Sequence, residues 1–178
     1  VSDNPRRVEA IKRYREQALD RAAVIAALAL SRIDEYELEQ LVDRQDAQLA
    51  ELLHDFAFRL RKMMELAKRE QFQSFALATR STVVCFPDND DLQSLGLTTM
   101  SLMDICGRII HSDFFDIRRH QIPDKNGNLT SGRAAWGFAV ASDRDKVHPH
   151  FVFVEFFLQE FLAFERELAR DLIRRNPS

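Results

Sequence analysis

The chain has 178 residues, 46% of them hydrophobic, which is enough for one folded domain with a real core and too apolar for a disordered tail. Its 25 Lys and Arg against 28 Asp and Glu leave a net charge of −3, which excludes the broad basic face that grips duplex nucleic acid and leaves room for a local cationic pocket. Five Gly and five Pro are few for an all-β protein, and 14 Phe beside two Tyr and one Trp point to rings destined for core or interface.

Asn4-Pro5 predicts a helix start, an N-cap followed by Pro at the first helical position. Val8, Ile11, Ala18, Ala22, Ile25 and Ala29 then follow three- and four-residue steps, with Arg15 as the one breach. Arg6, Arg7, Lys12, Arg13 and Arg15 crowd the start with the wrong sign for the helix dipole, which reads as a solvated face or as a sign of a nearby anion. Ser31 and Asp34 suggest a break, and Asp43 offers a cap for a second long helix. Its stripe is Leu49, Leu52, Phe56, Leu60, Met63 and Ala67, broadened by Leu53 and Met64. His54 sits at the edge of that stripe.

Residues 82–86 are β-prone and short, ended by Pro87. Thr98 or Thr99 should cap a helix running to about His111. Residues 121–132 read as a loop with an Asn126-Gly127 turn. An antiparallel hairpin is expected over about 134–154, with Trp136, Phe138 and Val140 sharing a face and Pro149 placing its second strand at an edge or near its start. Phe157, Phe161, Phe164, Leu168 and Leu172 stripe a last helix. The expected fold class is therefore mainly α, a helical bundle with one inserted β-hairpin before the C-terminal helix, in a single domain over residues 1–178.

The segment "MDICGRIIHSDFFDIRRHQ" concentrates the polar chemistry. On a helix, Asp104, Arg108 and His111 fall together opposite Leu102, Ile105, Cys106 and Ile109. A neutral imidazole can accept a proton near pH 7 and a guanidinium matches phosphate oxygens, so His111 as base, Arg108 as clamp and Asp104 as orienting group are the candidate catalytic residues for metal-independent RNA cleavage. The plain alternative is a surface ion pair worth under ~1 kcal/mol, with a His at the helix end favoured by the dipole.

"ICGRIIHSDFF" resembles the C-N-[KR]-I-I-H-[AS] segment of HEPN-type helical proteins, and "FAFRLRKMMELAK" resembles an earlier helix of that class, with Arg61 and Glu65 in its framing positions. The resemblance implies a homodimer that binds RNA or nucleotide in a shared cleft, including ribonucleases of toxin–antitoxin or phage-defence type. Many members of that class are instead non-catalytic interaction or scaffold modules. Here two residues separate Arg108 from His111, a shorter spacer than in the catalytic pattern, and Ile109 stands where that pattern has a polar residue. Arg61, Arg118, Arg119 and His120 are the candidate anion-binding residues.

His148 and His150 could share one strand face as metal ligands, or be half-exposed strand residues; no third ligand is near in sequence, and no metal or cofactor is expected. Cys85 and Cys106 read as reduced core thiols. A protein partner remains open. No apolar run matches a membrane span, no targeting segment is expected, and the cytoplasm is the expected location.

Overall fold

The computed structural model describes residues 4–31, 33–87, 98–123, 126–142 and 149–175. The elements run α1 (Pro5–Leu30), β1 (Ile33–Asp34), α2 (Glu35–Arg69), α3 (Phe75–Ala78), β2 (Ser81–Pro87), β3 (Thr98–Ser101), α4 (Leu102–Ile110), β4 (Ser112–Pro123), β5 (Leu129–Ser142), β6 (His150–Phe153) and α5 (Val154–Arg175). Asn4 caps α1, its side chain accepting the Arg6 N–H at 3.1 Å. Val8, Ile11, Ala18, Ala22, Ile25 and Ala29 are buried, and α1 packs along α2. Arg15 breaks that stripe because its partner arrives from the far end of the chain. Its Nε–H donates to the buried Glu165 of α5 at 2.7 Å. α2 begins well before Asp43, which lies inside it. It ends with Gln71 at φ +58°, where the Gln71 N–H donates to Lys68 O and the Phe72 N–H to Ala67 O. This is a left-handed helix stop, locked by the burial of Phe72.

The strands form one antiparallel sheet in the order β4-β5-β6-β2-β3, curled into a half-barrel, with the two-residue β1 also bonded to β5. The expected helical bundle with a single hairpin is therefore corrected to an α+β fold, helices packed against a sheet of several strands. β5 and β6 pair through Gly137↔Phe153 and Val140↔His150, but β6 also pairs β2, and β5 also pairs the 12-residue β4. The sheet was hidden because β2 is bonded to β6 from the far side of the chain, Cys85↔Val152, and because Arg119, on the helix-facing side of β4, breaks the apolar alternation. That guanidinium is buried against α2, donating to Asp46 at 2.6 Å and to the Gln45 side-chain carbonyl at 2.5 Å.

Sheet and helices are joined by a run of rings. Phe138 of β5 stacks on Phe115 of β4 at 5.3 Å and meets Phe157 of α5 edge-on at 5.9 Å. Phe56 of α2 meets Phe157 at 5.5 Å and Phe161 at 5.0 Å, both edge-on. Such pairs contribute about 0.5–1.5 kcal/mol each beyond area burial.

One irregularity in β5 decides what the other face carries. Arg118 pairs with Gly137, but Arg119 pairs with Ala135, so Trp136 is an extra residue, a β-bulge. Ala135, Phe138 and Val140 stay buried, while Trp136 turns to the outer face, 41% exposed. The expectation that Trp136, Phe138 and Val140 share a face fails at this bulge.

Phe138→Ala is expected to lower the unfolding free energy by about 3–5 kcal/mol, read from the denaturant midpoint at unchanged slope. A loss under about 1 kcal/mol would contradict the ring contacts between sheet and helices.

Candidate functional site

The candidate catalytic residues run along α4, Asp104 in its first turn, Arg108 in its last and His111 at its junction with β4, and local chemistry explains how α4 starts. Ser101, not Thr98 or Thr99, is its N-cap, because residues 98–101 form β3. The Ser101 hydroxyl accepts the Asp104 N–H at 3.1 Å and donates to the Asp104 carboxylate at 2.6 Å. Asp104 thus braces the Ser101 cap and complements the helix dipole. Arg108, in the last turn, donates from Nη1 to Nδ1 of His150 on β6 at 3.4 Å. His111 is the exposed C-cap, its backbone N–H donating to Gly107 O at 3.1 Å. The bonds of Asp104 and Arg108 therefore lead to Ser101 and His150, in different directions.

His54 of α2 reaches the same junction. Its Nδ1 lies 2.9 Å from Ala50 O and its Nε2 3.2 Å from the Ser112 hydroxyl, which also donates to Ile109 O at 2.9 Å. A Ser–His contact can serve nucleophilic catalysis, but the carboxyl end of α4 presents carbonyl oxygens where an oxyanion needs donors. The contact ties α2 to β4.

Burial first, and the Arg108 charge second, hold the His150 pKa below its ordinary 6.5. Burial pushes the Cys85 thiol up to about 11 against the opposing pull of Arg108, and pushes the fully buried Cys106 thiol up as well. Neither offers a thiolate nucleophile at neutral pH.

The anion-binding candidates separate. Arg61 donates to Glu65 at 3.1 Å and to Met103 O at 3.4 Å, so it ties α2 to α4. Gly107 gives it passage, since a Cβ there would stand 2.8 Å from Arg61 Nη1. Burial raises the Glu65 pKa, but the bonds and charges of Arg61 and Lys62 outweigh it and leave the carboxyl below its usual value. Arg119 is the buried clamp to Asp46, Arg118 pairs with Asp116 at 3.3 Å on the outer face, and His120 joins an aromatic cluster. Among the described residues no group of three or more His, Cys, Asp or Glu could hold a metal ion; His148 lies outside those residues.

That cluster escaped the sequence reading. His120 lies nearly parallel on Trp136, ring centres 4.5 Å apart at 21°. Trp136 meets Phe151 at 5.5 Å and Phe153 at 5.2 Å, and Phe153 meets Phe156, in the first turn of α5, at 5.2 Å. Gly137 makes room for the cluster: a Cβ there would fall 2.3 Å from the Phe151 ring. Trp136 and Phe156 are partly exposed, so aromatic surface remains open to a ligand. The sequence signal was a Gly beside the lone Trp, two residues before a run facing the core.

No family model, curated protein or solved structure matches the chain. Among the described residues no helix is long and apolar enough to cross a membrane.

Because the fold favours neutral His150, its contribution to stability is complete above the unfolded value near 6.5 and is lost as pH falls below it, where the unfolded chain binds a proton the native one resists. The urea midpoint is expected to drop further between pH 8 and pH 5.5 in the wild type than in His150→Gln. Equal drops would contradict the burial of a neutral imidazole.

Proposed function

We propose that this protein binds single-stranded RNA or a nucleotide by stacking nucleobases on the outer face of its sheet. The carrying observation is the His120–Trp136 ladder, an indole and an imidazole nearly parallel at 4.5 Å with the indole 41% exposed. Every base has a π face, so such a surface takes unpaired bases with little sequence preference, each stack worth about 1–3 kcal/mol. The net charge of −3 fits unpaired strands or nucleotides better than a duplex, whose binding needs an extended cationic face. Arg118, two residues from His120 on the same face of β4, places a cation on this side of the sheet and shares its charge with Asp116.

Trp136 is the one Trp in the chain, so its emission reports on this surface alone. Saturable quenching by short RNA oligonucleotides is expected, with little response to duplex DNA. Trp136→Phe should keep most of the affinity, whereas Trp136→Ala should weaken it by roughly tenfold or more, followed by competition against a labelled oligonucleotide. Emission untouched by RNA or nucleotides at about 100 μM would remove the reading. Cleavage of total RNA in chelator, by wild type and by His111→Ala, separates a metal-independent ribonuclease from a binding protein.

A second reading, a protein-interaction surface that pairs two copies of the chain, is favoured by Phe114, Trp136 and Phe156, all exposed large rings. Light scattering would then give twice the 20.7 kDa chain mass, and Trp136→Glu would return the mass to that of one chain.

A further inference from the structure

β4 is an edge strand. Among the described residues it is bonded to β5 on one side and to no strand on the other. A row of open N–H and C=O groups is a template for another strand, and folded proteins guard such edges with bulges, prolines, charges or short strands. Here the guards stand at the ends. Asp113 is an extra residue between Ser112↔Ser142 and Phe114↔Ala141, and Pro123 closes the strand. From Phe114 to Gln121 every residue has its own partner in β5, so β4 carries no bulge over roughly 27 Å. Its inward charge, Arg119, is held by Asp46. Its outward side chains are Phe114, Asp116, Arg118 and His120, since Phe115 and Ile117 pack toward the core. Phe114 is a large ring left 41% exposed.

We infer that β4 is the edge at which two copies of this chain join, antiparallel, into one continuous sheet about a two-fold axis at Ile117. Paired residues of antiparallel strands turn to the same face, so two copies of one strand register only with a pair of identical residues on the axis. With Asp116 on the axis, two carboxylates face each other. With Arg118 there, two guanidinium groups do. With Ile117 there, Asp116 faces the partner's Arg118, and Phe114 faces the partner's His120. Opposite charges directly across antiparallel strands attract and like charges repel, so the charge order of β4 selects this register. Asp116 and Arg118 already pair along the strand at 3.3 Å. Across the axis the two pairs lie side by side with alternating sign, so the join needs no unused donor on the guanidinium. Roughly six to eight backbone hydrogen bonds form between Phe114 and His120 of the two copies. Both outer faces then lie on the same side of the joined sheet, and the partner's Phe114 continues the His120–Trp136 ladder across the axis. The inference rests on the two-copy reading for the number of chains and moves the contact from the exposed rings to the strand edge.

The test is light scattering on the full chain and on charge-swapped variants. At tens of micromolar the wild type should give twice the 20.7 kDa chain mass. Asp116→Arg sets cations opposite each other, and Arg118→Asp sets carboxylates opposite each other. Each alone should weaken dimerisation about tenfold or more, and an equimolar mixture of the two should recover the two-chain mass, because each then meets its complement. Trp136→Glu should stay dimeric. A monomeric wild type would overturn the inference and the two-copy reading together. A dimer that the charge variants leave at full strength, or a mixture no more dimeric than its components, would overturn the inference alone, and dissociation by Trp136→Glu would then keep the ring-face contact. Should a charge variant fail to fold, Phe114→Cys mixed with His120→Cys carries the same decision, both positions being outward and the native Cys85 and Cys106 buried. A short bis-maleimide should cross-link the mixture and neither variant by itself, since in this register each residue stands about 20 Å from its own copy. Equal cross-linking of the separate variants, or none in the mixture, would contradict the register. Quenching of Trp136 by an uncharged nucleoside should persist in Asp116→Arg, so the stacking reading stands or falls separately.

Discussion

One extra residue in β5 governs what this molecule can present. The pairing step from Arg118↔Gly137 to Arg119↔Ala135 leaves Trp136 without a partner in the ladder with β4. A regular strand would place Trp136 beside Phe138, packed toward the helices. The bulge separates them, so Phe138 joins Phe115 and Phe157 in the core while Trp136 turns outward to His120 and Phe153. Gly137 completes the arrangement, because Phe151 lies across the space its side chain would fill.

The core holds this arrangement from both ends of the chain. Phe56 of α2 and Phe157 of α5 clasp each other edge-on beneath Phe138. Ion pairs pin the helix ends outside the rings. Glu70, 1% exposed, takes Arg7 from the start of α1 and Arg175 from the end of α5, both at 3.1 Å. Arg175 also lies over Phe72 at 4.9 Å. Asp171 accepts the buried Ser74 N–H at 2.8 Å, anchoring α3. The Glu70 and Asp171 carboxylates are spent on these bonds, which favours a structural role and leaves the open aromatic face and the α4–β4 junction for function.

Helix faces were legible because their information is local. The three- and four-residue spacing in α1, α4 and α5 marks residues that are buried, from Val8 to Ala29, from Leu102 to Ile109 and from Phe157 to Leu172. The sheet was not legible to the same degree. Its inward residue Arg119 looks like a surface charge until Asp46, 73 residues away, is placed against it. The candidate trio shows the same limit. Spacing put Asp104, Arg108 and His111 on one helix side, but their bonds are decided by Ser101 at one end of α4 and by His150 from a strand 42 residues on. No local pattern announces either the bulge at Trp136 or the partner of Arg108.

The account stands on Trp136 facing away from the helices. Nuclear Overhauser contacts of its indole protons test this most directly in the free protein. The expected cross-peaks run to the rings of His120 and Phe153, with none to Phe56 or Phe157. Cross-peaks from the indole to Phe56 or Phe157 would place it in the core, abolish the bulge, and leave the outer sheet face without the surface on which the functional reading depends.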